Sequence, residues 1–250
     1  MISIVCVFNN TKVLDNYLLK SLKNQTVNYE LILIDNSSNK YESASQALNK
    51  GAKKAKGKYL IFVHQDVDLH SKNWLEKVEI TLDSLFNLGV AGVAGKSKEG
   101  MVTNIKDGIP PTFLSKFKIN QPQKVQTVDE CLFIIPQTVF NRFKFDEEIC
   151  NNWHLYCVDY CLSILKNNLD VYVLPKYVYH ASHGDSFSNS YFIVLEKLLR
   201  KYKKDYNRIY TTVWNWNTTY SFRLQKTWYI IRRWISNLRI LITGNREYYL

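Results

Sequence analysis

The stretch Lys58-Tyr59-Leu60-Ile61-Phe62-Val63-His64-Gln65-Asp66-Val67-Asp68 decides how the rest of the chain is read. Tyr59 to Val63 is an apolar run without alternation, so both faces of the segment are covered, as in the centre of a parallel sheet. The run then stops on acids. Asp66 and Asp68 cannot extend a buried strand, and a carboxylate just past the carboxyl end of such a strand sits where open α/β sheets bind ligands. Phosphate and a divalent cation are the natural guests there. The competing reading is that Asp66 or Asp68 caps the helix that begins near Ser71.

Upstream, Ile2 to Phe8 reads as another buried strand, ending on Asn9-Asn10-Thr11. Met1 runs straight into it, which is read as a first strand and not as a signal peptide. A helix follows over Leu14–Leu22, then a short strand Leu31–Ile34 that ends on Asp35, then a helix over Ser43–Lys56 closed by Gly57. Three strands separated by helices predict a parallel sheet with right-handed crossovers. Asn9, Asp35 and Asp66 then converge at one edge. No Gly-x-Gly-x-x-Gly and no Walker loop follows the first strand, so a bound nucleotide would need a metal ion on its phosphates. Asp66 is the candidate ligand for a hard cation, Mg²⁺ or Mn²⁺.

Downstream, Ser71–Leu88 has the pattern of an amphipathic helix and Val90–Ala94 that of a short strand. Residues 95–124 read as a basic, Pro-containing irregular region, either functional or a solvated loop. Val128–Pro136 reads as a strand, Gln137–Phe143 as a short helix, Asn152–Leu165 as a helix and Asp170–Pro175 as a strand.

In this order, Asp35, the segment Ala47-Leu48-Asn49-Lys50-Gly51-Ala52 and His64-Gln65-Asp66-Val67 resemble the family 2 glycosyltransferases of the GT-A fold, over Met1 to about Ser190. The resemblance implies an α/β fold with a mostly parallel central sheet flanked by helices. It implies that Asp35 holds the base of a sugar nucleotide and that Asp66 coordinates the metal on its diphosphate, with Asn9, His64 and Gln65 lining the same edge. His64 stands where the family usually has the first Asp of Asp-x-Asp, which points to the branch that carries His-Gln-Asp-Val. The family often has Val-Asp-Gly before the strand read at 128–136; here the residues are Val128-Asp129-Glu130, and Asp129 either faces sugar or acceptor or serves structure. The segment from Tyr179 to Ser186 is similar to the family's His-x-Ser-x-Gly-x-Ser, so that His180 becomes a metal ligand and Ser182 and Ser186 phosphate neighbours, with His183 an additional histidine.

The helix at 152–165 carries the largest departure. The family's general base occupies the position of Cys157, and only Asp159 survives as a carboxylate. Asp159 is the first candidate for the base, and His154, one turn earlier, the second. His154, Cys157 and Cys161 also have the i, i+3, i+7 spacing of a helix face, which zinc would accept, although paired short Cys spacings are absent.

The 250 residues suit one large domain with an appendage, read as a catalytic domain over 1–190 and a basic, aromatic, mainly helical extension over 191–250. A hydrophobic fraction of 46% excludes a disordered chain. With 33 basic against 22 acidic side chains the protein attracts anions, but no nucleic-acid module is present. Five cysteines without a Cys-x-x-Cys pair suit the reducing cytoplasm. In the tail, Trp228, Ile231, Trp234, Ile235, Leu238, Leu241 and Ile242 form an apolar stripe with arginines largely elsewhere. That stripe suits a membrane interface, the catalytic domain or a second subunit. The expected activity is metal-assisted, inverting transfer of a sugar from a nucleotide donor to a glycan or lipid-linked acceptor, with a catalytically weak sugar-nucleotide-binding protein as the alternative.

Overall fold

The computed structural model describes residues 1–115, 118–182 and 188–243. The chain opens with β1 (Ile2–Phe8) and a helical stretch, α1 (Thr11–Leu14), that passes through a π turn at Asp15–Leu19 into α2 (Lys20–Leu22). Then come β2 (Tyr29–Asp35), α3 (Ala44–Ala52), β3 (Tyr59–Val63), β4 (Val67–Asp68), α4 (Trp74–Asp83), β5 (Leu88–Gly92) and β6 (Ala94–Ser97). The region expected to be irregular holds β7 (Gly100–Thr103), β8 (Lys106–Asp107), β9 (Thr112–Phe113) and β10 (Gln123–Lys124). It is followed by β11 (Thr127–Val128), β12 (Leu132–Pro136), α5 (Gln137–Arg142), α6 (Tyr156–Lys166), β13 (Asp170–Val173) and β14 (Tyr179–His180). Helix α7 (Asn189–Lys201), the hairpin β15 (Arg208–Tyr210) and β16 (Asn215–Asn217), and α8 (Phe222–Thr243) complete the chain.

The central sheet has seven strands in the order β10-β13-β5-β12-β3-β1-β2. Strand β1 pairs in parallel with β2 and β3, as the alternation of strands and helices predicts. The middle of the sheet is mixed, because β12 runs antiparallel to both β3 and β5. The chain reaches β12 after its excursion through β6 to β11 and enters the sheet from the carboxyl edge of β3. Leu132 pairs with Val63, so the residues just before β12 lie at the edge where β3 ends.

Both faces of β3 are covered. Leu60 and Phe62 join one core layer with α3, α6 and α7, while Tyr59, Ile61 and Val63 join the other with α1, α2 and α4. Phe62 is 1% exposed and stacks on Phe133 at 5.1 Å, and burying such a side chain contributes about 1.5–3 kcal/mol.

The Asn49 and Gly51 pair is structural. Asn49 Nδ2 donates to the Phe145 carbonyl at 3.0 Å, and Asn49 Oδ1 accepts from Phe145 N at 3.1 Å, tying α3 to the segment before α6. A Cβ on Gly51 would lie 2.6 Å from Val5 Cγ1, so its absence lets α3 approach β1. Gly57, expected to close that helix, does something else: α3 ends at Ala52, and Gly57 N donates to Ser3 Oγ at 2.7 Å against the backbone of β1.

The first part of the segment read as a C-terminal extension packs into the core. Tyr191, Leu195, Leu198 and Tyr202 pack in the same layer as α6, and so does Trp216, which is fully buried.

Candidate active site

Strand β3 delivers His64, Gln65 and Asp66 past its carboxyl end, and a small second sheet completes the site. In the order β4-β14-β8-β9, strand β14 pairs antiparallel with β4, matching His180 with Val67, and parallel with β8, matching His180 with Asp107. Ala181 N also donates to the Asp66 carbonyl at 3.0 Å. These ladders hold His180 between two carboxylates, its Nε2 3.5 Å from Asp66 Oδ1 and its Nδ1 3.0 Å from Asp107 Oδ1.

Ligand atoms of His64, Asp66 and His180 lie within 4.8 Å of one another, the one such group of three among the described residues. His180 Nε2 is buried and makes no aligned hydrogen bond, as is also true of Asp107 Oδ1. Burial alone would lower the His180 pKa, but the Asp107 and Asp66 carboxylates outweigh it and raise it to about 10. Burial and the neighbouring His180 charge lower the pKa of His64, leaving a neutral imidazole able to donate a lone pair. Burial works to raise the Asp66 pKa, and the His180 ring that faces it outweighs this, so the carboxylate is held below its usual range. An ionised carboxylate, a neutral imidazole and a second imidazole whose proton an incoming ion would displace fit a divalent cation. Asp107 fits the outer position behind a metal-binding histidine, where it orients the ring.

Gln65 and Asn9 lock the strand ends together, with Gln65 Oε1 accepting from Asn9 N and Asn10 N at 3.1 and 3.0 Å. Asp35 aligns with Phe8 across β1 and β2, so it stands at this same edge, exposed, with Ser37 N donating to its Oδ1 at 2.8 Å. Its hydrogen bonds with Ser37 lower its pKa. Asp68 is the turn former: its Oδ1 accepts from His70 N at 2.6 Å, and α4 begins later, behind Asn73. Asp66 caps nothing.

Asp129 has both oxygens engaged, accepting from Cys131 N at 3.0 Å and from Thr212 Oγ1 at 2.6 Å. Burial opposes ionisation there, but these two donors hold the pKa down. Ser182 follows β14, and its carbonyl accepts from Gly108 N at 3.1 Å. Ser186 and His183 lie outside the described residues.

The two candidates for the base point elsewhere. Asp159 is 3% exposed, and its Oδ1 accepts from Lys201 Nζ at 2.7 Å. Burial raises its pKa and Lys201 opposes that rise, so the carboxylate is committed to an internal ion pair, which weighs against a proton-accepting role. His154 Nε2 is 3.2 Å from Ser188 Oγ, and its ring packs on Tyr191. His154 therefore does not join Cys157 and Cys161, both fully buried, and no zinc group forms from them among the described residues.

Three neighbours escaped the sequence reading. Asp107 lay in a stretch read as irregular, and only the β8–β14 pairing brings it to His180. Tyr156 Oη sits 3.3 Å from His64 Nε2. Glu130 stands at the start of α6, where Cys157 N donates to its Oε1 at 3.4 Å. The signal for Glu130 was a carboxylate where the resembling family often has glycine.

Residues 2–208 match a family described as "Glycosyltransferase like family". No curated protein matches the chain. Among solved structures, GalNAc-T7 with UDP, GalNAc and Mn2+ is similar at a TM-score of 0.59 and 16% identity, over 81% of this chain and 47% of that one. TarS 1–349 of S. aureus in complex with UDP-GlcNAc is similar at 0.58 and 14%, over 79% and 65%. The complex of TarS 1–349 with UDP is similar at 0.55 and 16%, over 79% and 64%. The chain thus spans about half of the first protein's length and just under two thirds of the other's, and at these identities the likeness is one of fold.

Proposed function

Since the chain belongs to the glycosyltransferase-like family, we propose that it moves a sugar from a nucleoside diphosphate sugar to a hydroxyl of a glycan or lipid-linked glycan, with inversion and with help from Mg²⁺ or Mn²⁺. The observation that carries this reading is the His64, Asp66 and His180 group at the carboxyl edge of β3. We place the chain in the branch with His-Gln-Asp-Val.

In this reading Asp66 and His180 hold the cation, with His64 beside them, and Asp107 keeps the His180 ring turned toward Asp66. The cation supplies charge neutralisation for the departing diphosphate. Asp35 accepts from the nucleotide base at the exposed end of β2. Gln65 and Asn9 shape the floor, while Ser182 and Ser186 hydrogen-bond phosphate oxygens. Asp129 holds the loop before β12 in register through Cys131 and Thr212. The neighbours' ligands support a UDP-linked N-acetylhexosamine as the first donor to try.

Helix α8 supports work at an anionic membrane surface. No described helix is long and apolar enough to cross a membrane. Leu224, Trp228, Ile231, Ile235 and Leu238 follow helical spacing and are all exposed, Trp228 at 57%. The helix sequence contains Arg223, Lys226, Arg232, Arg233 and Arg239 and not one acidic residue. A second copy docked on this face would bring like charges together, whereas anionic lipid complements them. Five free, buried cysteines support the cytoplasmic leaflet.

A second reading, a sugar-nucleotide-binding protein with weak turnover, is favoured by the buried Cys157 thiol and by the ion pair of Asp159. Calorimetry with a panel of nucleoside diphosphate sugars, with and without Mn²⁺, tests the binding common to both. Release of nucleoside diphosphate on adding acceptor separates them. Absence of any metal-dependent donor binding overturns both.

A further inference from the structure

Helix α6 begins in an unusual way. Its N-cap is Leu155, an apolar, buried residue at φ 64° that offers no side-chain hydrogen bond, so the orphan N–H groups of the first turn need an acceptor from elsewhere. Glu130 supplies it across 27 residues of sequence: Cys157 N donates to Oε1, and the backbone N–H groups of Tyr156 and Leu155 also address this carboxylate. A left-handed, non-glycine residue costs about 1–2 kcal/mol, and that cost is met where a functional group must be held.

Glu130 lies at the ligand edge. The carbonyl of its neighbour Cys131 accepts from His64 N at 2.9 Å, and Leu132 opens β12 opposite Val63. Tyr156, whose N–H addresses Glu130, turns its hydroxyl to His64. Glu130 is a half-buried residue, whereas Cys157 is fully buried, with a thiol pushed well above its ordinary pKa by burial. Residue 157 itself offers only a buried thiol, and the carboxylate that reaches its amide comes from the loop before β12.

We propose that Glu130 is the catalytic base, a carboxylate presented by the loop that caps helix α6. This rests on the transferase reading above. The acceptor hydroxyl gives its proton to Glu130 as its oxygen forms the bond to the anomeric carbon. The bond from that carbon to the diphosphate breaks, and its electron pair leaves with the diphosphate. The products are the glycoside, protonated Glu130 and the nucleoside diphosphate.

The electrostatics around Glu130 suit the task. Burial, followed by the Asp129 charge, raises its pKa to about 8 against the opposing backbone N–H groups. Tyr156 and Cys157 on α6, Cys150 before it and Tyr191 on α7 also face it, all held neutral by burial. A base near the working pH accepts a proton readily and still returns it to water.

The test measures UDP release from UDP-GlcNAc, or from whichever sugar nucleotide the wild type turns over, with Mn²⁺ and acceptor, between pH 5.5 and 9.5. In the wild type the rate should rise with pH and level off near the Glu130 pKa. Glu130→Gln keeps an oxygen for the helix cap. It should lower the rate by about 100- to 10,000-fold, remove that limb and leave donor affinity and melting temperature near the wild-type values. Glu130→Gly combined with Cys157→Asp should recover at least tenfold over Glu130→Gln by placing a carboxylate on the adjoining turn of the helix. A Glu130→Gln rate within threefold of wild type, or a double variant no faster than Glu130→Gln, overturns the assignment. A wild type that binds sugar nucleotides but turns over none overturns the transferase reading, and this one with it.

Discussion

Gln65 clamps Asn9 from both sides of the peptide: its Oε1 accepts from Asn9 N at 3.1 Å while its Nε2 donates to Asn9 Oδ1 at 2.8 Å. One amide side chain thus couples the end of β3 to the end of β1. These bonds are exposed, so water replaces them at small cost to global stability. Gln65→Ala should leave the melting temperature within about 2 °C of wild type and speed hydrogen exchange at the Asn9 and Asn10 amides by about tenfold. Unchanged exchange at those two amides would mean the clamp is idle.

Asp66→Ala should remove the response to Mn²⁺. A cation at about 100 times its Kd stabilises the fold that binds it by about 2.7 kcal/mol, which thermal melts resolve easily. Wild type should gain that increment, and the variant should melt at the same temperature with and without Mn²⁺. Equal gains in both proteins would remove Asp66 from the ligand set.

Asp107→Asn should weaken Mn²⁺ binding by about 10- to 100-fold with Asp66 and His180 unaltered, because the amide no longer fixes the His180 ring as a carboxylate does. Titration followed by electron paramagnetic resonance of free Mn²⁺ measures this directly. An affinity equal to that of wild type would reduce Asp107 to a strand residue.

Lys201→Met tests the Asp159 ion pair, whose partners are 30% and 5% exposed. Burial raises the Asp159 pKa and Lys201 offsets part of that rise, so without Lys201 the folded-state pKa climbs further. An acid whose folded pKa exceeds its unfolded one loses stability as pH rises through that interval. The variant should therefore lose about 2 kcal/mol at pH 7, less than a fully buried pair because Lys201 is partly solvated, and much less near pH 4. Urea melts at the two pH values give the difference; a deficit that grows on acidification would contradict this account.

Trp216→Ala should cost about 3–5 kcal/mol, as expected for a fully buried indole. Ending the chain at Asn189 should leave the α6 face of the core uncovered and the product aggregated. A folded, cooperative truncation would instead support the boundary near 190 suggested by composition.

The fold was legible where local pattern and tertiary burial agree. Tyr59 to Val63 is apolar at every position and is covered on both faces, and Ile2 to Phe8 lies parallel beside it. The direction of β12 was not legible, since an apolar pentapeptide reads the same in a parallel or an antiparallel ladder, and the choice depends on the path of the preceding residues. The convergence of Asn9, Asp35 and Asp66 followed from strand order. The pairing of His180 with Asp107 did not, because two-residue strands carry no periodicity. Asp159 looked available because helical spacing shows which residues share a face and says nothing of a lysine 42 positions later.

The ladders that carry His180 and Asp107 and adjoin Asp66 are only two residues long, while β1 and β2 pair over seven. Rupturing so few peptide contacts requires far less energy than unravelling the wide sheet, so fluctuations of the pocket are uncoupled from denaturation of the domain. Opening at this margin would leave the wide sheet intact, and a cation held by Asp66 and His180 would oppose it by tying β14 to the end of β3.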